Sequence, residues 1–270
     1  MSCYDVKTKR FRSGIFEDVV DCTYVILCCG DFPKREEHVW KELDKLKPTK
    51  LVKLVYNKGF KTCPKRLVKQ STEYDLRDAL MYVFEDSKNY KNILVLEDDF
   101  ETDDRIFNHV KEVNSFLSNN CPQVYGLGNV CIINPLYILS RHQRLLYMGV
   151  SQAIIYNKEY RAKMLDSYKT SPNKMNAHVD AIWLRQDVSI YRYYIPLIYQ
   201  KHPITENVYN WPGPVWLSKL SIKILGLDKD ARKGYDKINM LNYTISILLL
   251  IGIFYLTSKL RKRIQKSKKK

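Results

Sequence analysis

The first 22 residues, MSCYDVKTKRFRSGIFEDVVDC, hold no apolar run of the kind that forms the core of a secretory signal. A body that folds in the cytosol is the expectation from that absence. Seven cysteines are present, an odd number, and no two stand in a CxxC pair. The spacing a zinc module needs is therefore missing. Reduced structural thiols in a reducing compartment are the simplest expectation. No internal repeat is visible. The last twelve residues, KLRKRIQKSKKK, hold eight basic residues and no acid. From Tyr243 to Thr257 there is no charge of either sign.

What is there is ample for a core: 270 residues, 45% hydrophobic and 27% charged. The formal net charge of +16 is concentrated in the basic tail, whose eight cations leave only +8 for the other 258 residues. Such a tail suits nucleic acid or an anionic membrane surface, and the segment before it decides. MLNYTISILLLIGIFYLTS, residues 240–258, is long enough to cross a bilayer as a helix, which takes roughly 17–25 residues. Tyr243 and Tyr255 stand near its ends, where aromatic rings favour the headgroup boundary. The expectation is a C-terminal membrane anchor with a polybasic flank, and no nucleic-acid partner. The alternative, a buried core helix, is rarely apolar all round and rarely followed by eight cations. Orientation is in conflict at this stage. Reduced cysteines place the body in the cytosol, and the positive-inside rule places the tail there too. We expect a cytosol-facing body, with the depth of the anchor open.

Along the chain, apolar runs alternate with amphipathic segments. TYVILCC (23–29) reads as a strand, ended by turn signals at Gly30, Asp31 and Pro33. REEHVWKELDKL (35–46) has helical spacing, with Val39, Leu43 and Leu46 on one face. KLVKLVYN (50–57) is a second strand and EYDLRDALMYVFED (73–86) a second helix. NILVLEDD is a third strand, followed by a helix over 103–117. Further on, QVYGLGNV and LLYMGVSQAIIYN read as strands and EYRAKMLDSY (159–168) as a helix. HVDAIWLRQ (178–186) begins a short helix, and IYRYYIPLIYQ (190–200) is a tyrosine-rich strand carrying a proline. The alternation predicts an α/β fold, a largely parallel sheet with helices on both faces.

The stretch ILVLEDDF (93–100) stands out, because four aliphatic residues run straight into three acids. In open α/β sheets ligands bind beyond the carboxyl ends of the strands, so Glu97, Asp98 and Asp99 are placed at a binding edge. Their hard oxygens suit Mg²⁺ or Mn²⁺, and such an ion can bridge nucleotide phosphates. The plainer reading is that acids often open the next helix, where they complement its dipole.

The blocks YVILCC with a following arginine, ILVLEDDF, MGVSQAIIYNKEYRAKML, VDAIWL and YYIPLIYQ, in that order, resemble those of family 25 glycosyltransferases, over about residues 22–202. The resemblance implies a GT-A-type nucleotide-sugar-binding fold. It also implies metal-dependent transfer of a sugar from a UDP-sugar to a hydroxyl of a glycan, lipid-linked glycan or protein acceptor. Asp99 would then be the direct ligand of Mn²⁺ or Mg²⁺. Asp98 would act directly or through water, and Glu97 would lie toward the ribose. His202 is the candidate to complete the metal site, and Arg35 a candidate for the nucleotide. Asp180, at the start of a helix, is the candidate base that takes the acceptor proton, although aspartate is also a favoured helix cap. Tyr191, Tyr193 and Tyr194 either line a sugar-binding face or serve simply as strand formers. The chain departs from the family in one place. A Gly-Cys…Ser-His stretch usually precedes the acidic motif, and here that region reads KQSTEYDLRDALMYV.

Two rival readings come from other classes. GVSQA (149–153) nearly matches a nucleophile elbow, and Ser151, Asp180 and His202 follow the hydrolase chain order, but no helix begins directly after the serine. A non-catalytic membrane-anchored protein of the same fold is the other. The expected organisation is an extension (1–21), the GT-A-like domain (22–202), a loop-rich extension (203–238), the anchor (240–258) and the basic tail (259–270).

Overall fold

A computed structural model describes residues 2–28, 32–149, 152–175, 182–183, 188–201, 220 and 222–267. The chain is mixed α/β. Strands β1 (Tyr4–Arg10), β2 (Cys22–Leu27), β3 (Leu51–Asn57) and β4 (Asn92–Glu97) are interleaved with helices α1 (Phe32–Leu46) and α2 (Thr72–Asp86). The short β5 (Phe100–Thr102) and helix α3 (Ile106–Asn120) follow. Next come β6 (Val124–Gly126), β7 (Val130–Ile133), a 3₁₀ turn (Pro135–Tyr137), β8 (His142–Gly149), β9 (Ala153–Asn157) and helix α4 (Lys158–Thr170). Strands β10 (Ile182–Trp183), β11 (Ile190–Tyr193) and β12 (Ile198–Gln200) precede the long helix α5 (Ala231–Ser267).

The main sheet runs β1-β3-β2-β4-β9-β6-β11-β8-β10, with β7 on β8. Its β3-β2-β4 portion is parallel, as the strand–helix alternation predicts. From β4 outward the pairing is mixed: β4–β9 and β6–β9 are antiparallel, and β6–β11 is parallel. The parallel strands are buried on both faces, which is why they read as unbroken apolar runs. Val25, Leu27, Leu54, Leu94 and Leu96 pack with Val39 and Leu43 of α1 and Val113 and Leu117 of α3. Their neighbours Tyr24, Ile26, Val55, Ile93 and Val95 point the other way, into Ala79, Val83 and Phe84 of α2 and Tyr160 of α4. Helices thus cover both faces.

The chain leaves β2 for β3 on one side and then returns to β4 on the other. The carboxyl ends of β2 and β4 therefore flank a topological switch point, where α/β sheets open a ligand crevice.

Four expectations are corrected. Residues 1–21 are not outside the domain, since β1 pairs antiparallel with β3 from Tyr4↔Asn57 to Arg10↔Leu51. Its largely exposed, lysine-bearing edge gives no apolar alternation to read. Cys3 and Cys63 form a disulfide across 60 residues, with Cα atoms 5.7 Å apart, so the cysteines are not all reduced thiols. Ile182–Trp183 pairs with Met148 and Tyr147 as a strand, not a helix. The 190–200 segment is two strands in different sheets: β11 lies between β6 and β8, and β12 pairs with β5.

Helix α5 has the length and composition of a membrane span and does not have the burial of a core helix. It contains the one stretch among the described residues long and apolar enough to cross a membrane, and 11% of that apolar window is buried. A core helix would be mostly covered. Its first turns do dock on the body. Tyr235 and Ile238 are buried beside Tyr199, Asn239 Oδ1 accepts from Arg192 Nη2 at 2.7 Å, and Tyr243 OH accepts from Gln143 Nε2 at 2.7 Å. The spacing of 235, 238, 239 and 243 is one helix face. From Ile247 onward the apolar side chains are largely exposed.

Candidate functional site

The acidic triplet emerges at the end of β4, with Glu97 the last strand residue and opposite Ile26 of β2. That register brings Asp98 beside the end of β2. Asp98 Oδ2 accepts from the Cys28 backbone N–H at 2.9 Å and from Arg35 Nη1 at 2.5 Å. Asp98 is 4% exposed and Arg35 29%. A buried carboxylate so engaged is charge-balanced in place. Burial pushes its carboxyl up, while the Arg35 charge and hydrogen bond oppose the rise.

Asp99 is different. Its Oδ2 accepts from Gln200 Nε2 at 3.0 Å, while its Oδ1 is buried with no hydrogen-bond partner. Gln200 Nε2 also lies 3.4 Å from Glu97 Oε2. Burial, then the charges of Glu97 and Asp98, hold the Asp99 carboxyl well above the usual carboxylate range. A proton or a cation would relieve the Asp99 carboxyl.

The β5–β12 pair places Gln200. It sits opposite Phe100, and Lys201 N–H donates to Asp99 O at 2.8 Å. A glycine permits this: a Cβ on Gly128 would stand 1.7 Å from Ile198 O, inside any contact distance, so β12 can approach only because residue 128 has none.

A cavity of about 720 Å³ opens here. Lys34, Arg35 and His38 of α1 line one side, and Asp98, Asp99 and Glu101 the floor. Tyr199 and Lys201 of β12 and the 227–232 turn into α5 complete it. The volume is that of a small-molecule site. α1 begins directly beyond β2, so its amino-terminal turn, with two cations, faces the cavity, an arrangement that favours phosphate. On the far side, Asp103 (3% exposed) is gripped by Arg105 at 2.8 Å and by Arg232 of α5 at 3.4 Å. Arg105 also reaches Asp236 at 3.1 Å. The start of α5 is thus a wall of the cavity.

Of the residues singled out by sequence, Arg35, Glu97, Asp98 and Asp99 come together here. Asp98 Oδ2 is engaged by Arg35 and the Cys28 N–H. Asp180, His202 and Ser151 lie outside the described residues. The segment from Gln152 continues into strand β9, and α4 begins only at Lys158, so the turn-to-helix that a nucleophile elbow requires is absent. The tyrosines of β11 are not in the cavity lining. Tyr193 is buried, with its OH donating to Glu112 Oε2 at 2.9 Å, and Tyr191 and Tyr194 pack on the core beneath α3. Sequence reasoning missed Gln200, Tyr199 and the turn into α5. Their arrival depends on a two-stranded pairing and a docked helix, which leave no local pattern.

Among the described residues, no group of three or more His, Cys, Asp or Glu side chains is arranged to hold a metal ion. A Mg²⁺-like ion does not require one, since it commonly takes one or two carboxylates and fills its other positions with substrate phosphates and water. Asp99, which lines the cavity and whose Oδ1 has no hydrogen-bond partner, is a carboxylate that fits that pattern.

No family model and no curated protein matches the chain. Among solved structures, A197 from STIV is similar at 14% identity and a TM-score of 0.36, over 68% of this chain and 86% of that one. A likeness of that extent carries no functional argument.

Proposed function

We propose that the cavity binds a nucleotide-diphosphate sugar and that the protein is a metal-dependent glycosyltransferase of GT-A type, held at a membrane by α5. The observation that carries this reading is the buried, unpartnered Oδ1 of Asp99, a residue at the β2/β4 switch point that lines the same cavity as Lys34 and Arg35 at the start of α1. The ordered blocks resembling family 25 glycosyltransferases support it. Asp99 and Glu97 would hold Mn²⁺ or Mg²⁺, which supplies charge neutralisation for a departing diphosphate. Arg35, positioned by Asp98, and Lys34 would bind the phosphates. Gln200 holds Asp99 in place. Asp180 keeps its assignment as the base for the acceptor hydroxyl.

The disulfide changes the reading of topology. Disulfides persist in oxidising compartments, so we place the body on the oxidising face and the eight-cation tail on the cytosolic face. A single span then satisfies both the cysteine chemistry and the positive-inside rule, which the expectation of reduced cysteines could not. Protease added to sealed, right-side-in microsomes is expected to spare the body until detergent is added. Immediate digestion, with Cys3 and Cys63 alkylated as free thiols, would return the body to the cytosol.

A further inference from the structure

Two leucines stand fully in the open beside the anchor. Leu136 is 84% exposed and Leu139 96%, both in the loop that joins β7 to β8. This loop is tied to α5. Gln143 Nε2 donates both to Ile138 O, at 3.0 Å, and to Tyr243 OH, at 2.7 Å. At its other end β7 is tied to an earlier turn of the helix, where Val130 packs on the cluster containing Tyr235 and Ile238. Strand and helix therefore advance side by side, and the loop arrives where α5 leaves the body.

The length of the anchor makes this position matter. The uncharged stretch 238–258 would give about 31 Å of helix, but its first turns, to Tyr243, are docked on the body, so the part from Tyr243 to Ser258 that is left for the lipid is about 24 Å at roughly 1.5 Å per residue. A bilayer core is about 30 Å thick. Tyr243 cannot move deeper alone, because Gln143 holds it to the body. The helix can fill the core only if the body settles toward the lipid, which carries the loop in with it.

We propose that the 135–140 loop is a membrane seat: Leu136 and Leu139 enter the interfacial layer of the bilayer beside α5 and complete a span that the helix alone leaves short. This rests on the anchor reading above. The occupant is lipid because the exposed leucines stand on a loop held against α5 at Tyr243, close to where the helix's own apolar side chains become exposed. Seated this way, the cavity wall at Arg232 stands eleven residues up the helix from Tyr243, about 16 Å at roughly 1.5 Å per residue. That is a reach suited to an acceptor carried on a lipid headgroup.

The test uses the full chain in phosphatidylcholine vesicles, with an environment-sensitive fluorophore on one introduced cysteine. The parent carries Cys121→Ser, which removes the exposed free cysteine among the described residues; its own labelling is the blank. Labels go on Leu139→Cys, on Ile253→Cys in the exposed part of α5, and on Val6→Cys at the β1 edge. Positions 139 and 253 are expected to emit at shorter wavelength than position 6 and to lose at least half their intensity when the vesicles contain spin-labelled lipid. Quenching at 253 with water-like emission at 139 overturns the seat and leaves the anchor standing. Absence of quenching at both sites overturns seat and anchor together. Blue-shifted emission at 139 that spin-labelled lipid does not quench means that a second copy covers the loop, and it overturns the seat.

Discussion

Asp99→Asn is expected to lose Mn²⁺-dependent sugar transfer and donor hydrolysis by on the order of 10²–10³-fold or more, the scale seen when one electrostatic group at a reacting centre is removed. Its melting temperature is expected to stay level or rise. The two outcomes have one cause. Burial and the charges of Glu97 and Asp98 disfavour the ionised Asp99 carboxylate in the fold, so this acid works against stability and is retained for another purpose. Asparagine keeps the shape and can still meet Gln200, but it removes the ionisable carboxyl whose Oδ1 is buried without a partner. Because the raised carboxyl must lose its proton to bind a cation, Mn²⁺ affinity is expected to increase with pH and to fall as the pH drops through the Asp99 pKa. Transfer assays with and without EDTA, beside thermal melts of the same preparations, read both effects. Full activity in the variant, or in EDTA, would remove Asp99 from the chemistry.

Arg35→Met is expected to be the most destabilising single change at the site, by roughly 3–5 kcal/mol, because it leaves Asp98 buried and ionised without its counter-charge. The partial exposure of Arg35 puts the expected value toward the lower end. Without Arg35 the folded-state pKa of Asp98 rises further above its unfolded value. The penalty is then largest at neutral pH and relieved as pH falls and the carboxyl protonates. Adding Asp98→Asn to Arg35→Met is expected to restore most of the loss. Urea unfolding midpoints of the two single variants and the double variant measure the coupling. Additive losses would mean that the pair is not interacting, despite its 2.5 Å separation.

The parallel core was legible because β2, β3 and β4 are buried on both faces and their apolar runs are bounded by turn residues and amphipathic helices. Position alone put the acidic triplet at the carboxyl end of a strand, and the chain places it at the end of β4. What could not be read depends on long-range geometry. The β1 edge strand, YDVKTKR, is polar on both sides and became a strand only through its partner β3. The break of 190–200 into two strands follows from β12 leaving the main sheet to pair with β5, three residues that no periodicity marks. Asp98 and Asp99, adjacent and chemically alike, were both candidate ligands by sequence. Their separation into an ion-paired acid and an unpartnered one is decided by Arg35, Cys28 and Gln200, which arrive from 63, 70 and 101 residues away. The body was likewise expected to end before the anchor. Instead Tyr235, Asn239 and Tyr243 of α5 belong to it, so truncation ahead of the apolar run would strip part of the fold.

The most direct test is therefore calorimetric titration of UDP-sugars into the intact chain in detergent, with and without Mn²⁺. At least one UDP-sugar is expected to bind with micromolar affinity in Mn²⁺, at least tenfold more weakly in EDTA, and undetectably in Asp99→Asn. Absence of binding by every UDP-sugar in Mn²⁺, or binding of equal strength in EDTA and in Asp99→Asn, would contradict a metal-dependent nucleotide-sugar site at the end of β4.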